Sequence, residues 1–357
     1  MKCRGRPPSH GGKGMKHLIA LTALLAAPAA AQTTPLFASD DPIHVTIRGP
    51  IGAIARNAEN STEPRDGQLV LAGSPEVYPI QLSARGITRR TKDVCSFPPI
   101  RVEFMQKPAA TSLFAHQGRL KLVTHCQSSE NYQQQLLLEY SAYRIFNLLS
   151  QTSFRARLAT VDYQEPNGKA VVTRWGFFLE DIDDVARRNG MTRPVLGARI
   201  QPSQLEPRQA ARVGLFEFMI GNLDWSMRAG PEGEPCCHNS RLIAAKGVSA
   251  LTSVPYDFDY SGLVDAPYAV PPEGFPINSV RNRYFNGFCR LNAETLAAAA
   301  EFRAKRPAIE ALYGSIPGMS DRIRAKALAY ISSFYEVIAT DESVQAKILK
   351  KCADETK

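Results

Sequence analysis

Four short segments of this 357-residue chain hold residue types that could do chemistry. Lys121 sits between apolar neighbours in Leu120-Lys-Leu-Val-Thr, and Glu139 lies in Leu138-Glu-Tyr beside an apolar face. Asp224 follows Gly221-Asn-Leu, with Asn239 fifteen residues further on. Asp257 and Asp259 stand one residue apart in Tyr256-Asp-Phe-Asp, with Gly262 close behind. Taken singly, each has a bland reading. A strand lysine or helix glutamate is usually solvated, and Asn and Asp suit helix ends and turns for local hydrogen-bonding reasons. Two carboxylates in an otherwise apolar segment are costly unless paired or metal-bound. Taken in order, the four supply what phosphoryl transfer uses. A strand Lys paired with a helix Glu steadies nucleotide phosphates, a loop Asp orients the attacking hydroxyl, and Asn with a later Asp holds Mg²⁺.

The elements that must position these residues are read from periodicity. Strands are expected at Ile43–Arg48, from Gln68, from Tyr78, at Ile100–Phe104 and at Leu120–Thr124. Helical spacing then takes over. Ser128 and Ser129 are suitable N-caps, Glu130 suits the first turn, and Leu138, Ala142, Ile145 and Leu149 share one face. Strand character returns at Val171–Leu179, and Glu180–Arg188 reads as a turn into a short helix stopped at Asn189-Gly190. A helix from Glu206-Pro207 ends at Gly221. Val254–Gly262 reads as strand to turn, and residues 292–351 as helices broken at Pro307 and Pro317-Gly318. Strand-rich material followed by helix-rich material is an α+β pattern of two lobes.

The formal charge of +9, from 43 Lys and Arg against 34 acids, invites a nucleic-acid reading until its placement is considered. Five of those bases and none of the acids lie in residues 1–31. From Met15 the chain runs through a short basic region, then an apolar stretch too short to span a membrane, then Ala29-Ala-Ala. That is the three-part pattern of a secretory signal. A chain cleaved after Ala31 carries +4 and no dense basic stripe, so nucleic-acid binding drops away. No apolar run reaches the roughly 18 residues of a membrane span. Six cysteines remain, at 95, 126, 236, 237, 289 and 352, an even number that in an exported chain suggests disulfides. Cys236 and Cys237 are not expected to pair with each other, because the tether between them is short. Cys236-Cys237-His238 lacks the spacing of a zinc knuckle. No Gly-x-Ser-x-Gly of a serine hydrolase occurs.

Residues from about 80 to 290 resemble the spore-coat kinase family (CotH-like), secreted and surface proteins with an atypical protein-kinase fold. The resemblance is carried by Arg85-Gly86 with Lys92, Leu120-Lys121-Leu-Val-Thr, Leu138-Glu139-Tyr, Phe178-Leu-Glu-Asp-Ile-Asp-Asp, Gly221-Asn-Leu-Asp224 with Asn239, and Pro255-Tyr-Asp257-Phe-Asp259. It implies a two-lobed kinase-like fold: a leader at 1–31, a strand-rich N-lobe at 32–178 and a helical C-lobe at 179–357. It implies Asp224 as the catalytic Asp and Asp257, Asn239 and Asp259 around Mg²⁺. Lys121 with Glu139 would be the phosphate-steadying pair, Arg85 a nucleotide contact, and Phe178-Leu179-Glu180 the hinge at the adenine of ATP. The activity implied is Mg-ATP-dependent phosphoryl transfer to a protein hydroxyl in the periplasm or outside the cell. Two other readings stand beside it: a catalytically silent domain binding an envelope partner, and a metal-dependent glycosyltransferase using the Asp-x-Asp segment.

Overall fold

The computed structural model describes residues 1–3, 5 and 33–354; the export signal read from Met15 to Ala31 lies outside them. Seven strands come from the first half of the chain. They are β1 (Ile43–Arg48), β2 (Arg65–Leu71), β3 (Val77–Ala84), β4 (Ile100–Phe104), β5 (Arg119–Val123), β6 (Ala156–Gln164) and β7 (Ala170–Leu179). The expected strands all form. β6 and the short helix α1 (Ile51–Asn57) were not expected.

The seven strands close into a mixed barrel in the order β1-β2-β3-β4-β5-β7-β6. This corrects the expected two-lobed kinase-like fold with a strand-rich N-lobe. β1 pairs antiparallel with β2 on one side and parallel with β6 on the other, Ile43 opposite Ala159 through Arg48 opposite Gln164. Closure leaves no unpaired edge, where an open sheet would leave two. β2 also needs close approach to β1. A Cβ on Gly67 would stand 2.7 Å from the Arg48 carbonyl oxygen.

Alternation puts Leu120 and Leu122 of β5 inside the barrel, both fully buried, and turns Lys121 outward. The barrel interior is packed by Val45, Ile47, Leu69, Ile80, Leu82, Val102, Phe114 and Phe178 among others. A second, larger apolar cluster takes in the outer side of β5, β6 and β7 with α2 (Glu130–Leu149) and continues to Leu349. It draws in α3 (Ile182–Arg188), α4 (Pro207–Ile220), α5 (Asn292–Ser315), α6 (Asp321–Val337) and α7 (Asp341–Lys347). α2 therefore shares one core with helices well beyond residue 179. The predicted apolar face of α2 is buried, but so are Gln133, Gln134, Gln135 and Glu139, because the helix is covered on nearly every side.

Pro317-Gly318 separates α5 from α6 as expected, but α5 runs through Pro307 without the expected break. Phe302 and Ile309 on either side are fully buried, so packing holds both halves of the helix in line. A three-stranded sheet completes the fold, with β8 (Met191–Thr192), β9 (Ser240–Ala245) and β10 (Thr252–Pro255) in the order β10-β9-β8.

The disulfides are Cys95–Cys126, Cys289–Cys352 and Cys236–Cys237. The last corrects the expectation that the adjacent cysteines do not bond to each other. The peptide between them is cis, and their Cα atoms lie 3.0 Å apart. Among the described residues no helix is long and apolar enough to cross a membrane.

Leu122 tests the barrel core beneath Lys121. Leu122→Ala should destabilise the protein by about 2–5 kcal/mol in urea unfolding, the usual range for a truncated core leucine. A loss below about 1 kcal/mol would mean that this part of the barrel is not close-packed.

Candidate functional site

The site is assembled by two chain reversals. α4 ends at Gly221, whose φ of +68° is the left-handed conformation that favours glycine. A Cβ there would also collide with the Tyr330 hydroxyl. The turn releases Asn222-Leu223-Asp224 from the helix end. The second reversal is the β9–β10 hairpin. Ser240 pairs with Pro255, and the Tyr256 amide donates to the Asn239 carbonyl at 3.0 Å. Asn239 and Asp257, eighteen residues apart in the chain, thus leave the same end of one hairpin. Both have positive φ, +46° and +68°. Left-handed backbone is tolerated by Asn and Asp but is uncommon, and it concentrates at functional sites.

The Asn239 side-chain amide joins the two reversals. It donates to the Asp224 backbone carbonyl at 2.7 Å and to the Asp224 carboxylate at 3.0 Å. The other carboxylate oxygen of Asp224 lies 2.8 Å from His238 Nε2, and the Asp224 amide donates to the Asn222 side chain at 3.0 Å. The hydrogen bond between His238 and the Asp224 carboxylate, with the negative charge behind it, raises the His238 pKa. Asn222 is itself held by Glu217, a buried acid of α4 at 3.0 Å, whose pKa is pushed well up by burial. A third of the Asp224 side chain stays exposed, so a carboxylate oriented from three directions still meets solvent.

Cations gather on the side of Asp257. Lys121 Nζ stands 5.1 Å and the Arg241 guanidinium 5.2 Å from the centre of the Tyr256 ring. Burial brings the Lys121 pKa down to about 8, helped by the charges of Arg85 and Arg241 and opposed by those of Asp257 and Asp181. Lys121, Arg85, Arg241 and Asp257 therefore lie within each other's electrostatic range. The Asp257 amide donates to the Tyr143 hydroxyl of α2 at 2.9 Å.

The expected Lys121–Glu139 ion pair does not form. Glu139 is buried as expected of an inward-leaning helix acid, but Arg89 takes it, at 3.5 Å. Arg89 reaches in from the segment after β3 and also donates to the Thr124 carbonyl at 2.6 Å. Asp259 sits in the same pocket. It accepts from the Tyr268 hydroxyl at 2.9 Å, and burial together with the nearby Asp257 charge raises its pKa to about 7. Burial also pushes Glu139 well above the usual carboxylate range, and Arg89 opposes the shift in both acids. Asp259 is thus turned to an interior charge cluster rather than to the Asp224 side.

The side chains of the three expected hinge residues are turned to packing and ion pairing. Phe178 packs inside the barrel, 6.4 Å from the Phe114 ring, and Leu179 joins the helical core. Glu180 is paired with Arg188 at 3.0 Å, accepts from the Arg155 amide at 2.9 Å and donates its own amide to Arg155 at 3.0 Å. Leu179 nevertheless sits directly opposite Lys121 in the β5–β7 register.

For Mg²⁺, the described residues hold no group of three or more His, Cys, Asp or Glu that could cage a metal ion. The ion is more often held by one or two carboxylates and by substrate phosphates. The donor set fits that mode. Among the described residues the Asp257 carboxylate has no hydrogen-bond partner, and the Asn239 side-chain oxygen is left over once its amide nitrogen is spent on Asp224.

Sequence reasoning missed Arg89, Arg241, His238 and Tyr268. Arg89 was submerged in the basic segment 85–92, which reads as solvated. Only His238, immediately before Asn239, carried a local hint. No protein-family model matches the chain, and no curated protein matches its sequence.

A raised acid pKa makes the folded state hold its proton more tightly than the unfolded chain does. Stability is then lost as pH rises from the unfolded pKa near 4 to the folded value near 7. Replacing Asp259 with Asn should flatten the fall in stability over that window, followed as the urea midpoint from pH 4 to 8. An unchanged slope would remove Asp259 as its source.

Proposed function

We propose that this protein is an exported phosphotransferase that uses a Mg²⁺-bound nucleoside triphosphate to phosphorylate a hydroxyl of a protein. The observation that carries the reading is the hydrogen-bonded chain from Asp224 through Asn239 to Tyr256-Asp257, with Lys121, Arg85 and Arg241 beside it. Phosphoryl transfer needs little covalent chemistry from the protein. It needs an oriented acceptor and neutralised charge.

In this reading the exposed Asp224 carboxylate orients the acceptor hydroxyl and takes its proton. Asn239 and His238 keep that carboxylate aimed. Lys121, Arg85 and Arg241 face the phosphates. Mg²⁺, when bound, would be held by Asp257 and the free oxygen of Asn239, and would neutralise phosphate charge. The signal pattern before residue 32 and the three disulfides support a place outside the cytoplasm, periplasmic or secreted. The resemblance to the spore-coat kinase family enters through the same short motifs and supports the chemistry, not the architecture. The burial of Phe178, Leu179 and Glu180 favours a second reading, a domain that binds an envelope partner without turnover.

Purified residues 32–357 with Mg²⁺ and γ-labelled ATP separate the two. Label transfer should fall by about 10²–10⁴-fold in Asp224→Asn, the usual worth of a positioned proton acceptor, and should also fall in Asp257→Asn. Equal transfer by all three proteins would defeat the assignments, and no nucleotide binding by the wild type would favour the silent domain. Nucleotide affinity should also decline as pH rises past about 8, where Lys121 loses its charge. Lys121→Arg should abolish that decline, because arginine stays protonated. A pH profile unchanged by the substitution would exclude Lys121 from phosphate contact.

A further inference from the structure

Immediately after Asp224 the chain lines a groove of about 480 Å³. Its floor is the segment from Trp225 to Ala229. That segment is bridged on one side from Ser226 to His238, the residue that holds Asp224, and on the other from Ala229 to Arg199. One wall carries Phe275 and Tyr284, half-buried rings packed edge to face at 5.4 Å. The other wall is the C-terminal segment. The Cys289–Cys352 disulfide pins it, as do two backbone hydrogen bonds, from the Ala353 amide to Gly287 at 2.7 Å and from the Cys289 amide to Ala353 at 3.1 Å. The groove is therefore built from ordered pieces that converge on the segment following Asp224.

Its charge is one-sided. Among the described residues, Arg199, Arg228 and Lys351 line it with one acid, Asp354. Arg199 and Lys351 are exposed and come from elements far apart in the chain. A chain cleaved after Ala31 is only weakly basic as a whole, so a local excess of cations along the segment that follows Asp224 is a specific feature.

We propose that this groove is the acceptor site and that it takes an acidic polypeptide segment, whose hydroxyl side chain then reaches Asp224. The inference rests on the phosphotransferase reading for its purpose, but not for its test. The paired rings offer an apolar footing for a side chain of the segment. The cations on the floor and the C-terminal wall select its acidic neighbours, and charge placed around a groove chiefly decides which partner is captured and how fast.

The test is binding without nucleotide. A fluorescent Asp/Glu-rich peptide with one central serine, and a Lys-rich counterpart, are titrated against wild-type residues 32–357 and against the double variant Arg199→Glu, Lys351→Glu. The acidic peptide should bind the wild type, weaken as salt is raised, and lose roughly tenfold or more in the double variant. Nucleotide binding and the thermal midpoint of the variant should stay unchanged. Equal binding of the basic peptide, unchanged binding by the double variant, or binding of heparin with none of the acidic peptide would each overturn the proposal. The two readings fail separately. Peptide binding with no label transfer under any condition would defeat the phosphotransferase and leave the groove. Label transfer to an acceptor that competes for nothing in the groove would defeat the groove alone.

Discussion

Near the centre of the molecule a carboxylate, Glu139, is 2% exposed. A buried charge must find a partner or give up its ionisation. Glu139 does some of both: its proton affinity rises, and Arg89 comes in to meet it. Much of the site is arranged around that demand. Arg89 comes from the segment after β3, and its second hydrogen bond, to the Thr124 carbonyl, fixes it to the chain just beyond β5. Asp259 and Tyr268 join the same cluster from the far side. One cation thus ties barrel, α2 and the Asp257–Asp259 turn together.

That arrangement changes the meaning of Lys121. With Glu139 already taken by Arg89, Lys121 has no carboxylate in ion-pair range among the described residues. It is left partly desolvated against the Tyr256 ring, beside two arginines and Asp257. A desolvated lysine held this way is stabilised by any anion that meets it. The local charge balance points the same way, since Lys121 and Arg241 both stand against the half-buried Tyr256 ring.

Two hydrogen-bonding devices keep the opposite side in order. The buried Glu217–Asn222 contact steadies the chain leaving α4, and the Asn239 amide bridges from the β9–β10 hairpin to Asp224. The Asn239 amide reaches the carboxylate itself, at 3.0 Å, and still leaves a third of the side chain exposed. The effect of the two devices is to remove rotational freedom from a carboxylate that could otherwise wander, which is the form that preorganisation takes at a surface-exposed acid.

Much of the local structure was legible in the residues themselves. The strands announce themselves by alternation, α2 by a repeating apolar face, and the end of α4 by Gly221, because period and turn chemistry act over a few residues. Asp224, Asn239 and Asp257 were also legible as candidates, since their residue types and order suit phosphoryl transfer. What tertiary structure decided was pairing. The parallel contact of β1 with β6 closes the barrel across more than a hundred residues, and no local pattern encodes which distant strand completes a sheet. The replacement of Lys121 by Arg89 at Glu139 has the same origin. Any cation that the fold can bring within reach satisfies a buried acid, so the partner is chosen by geometry. The assignment of Phe178, Leu179 and Glu180 to core and ion pair, and the meeting of His238 with Asp224, likewise follow from which surfaces the barrel and helices press together.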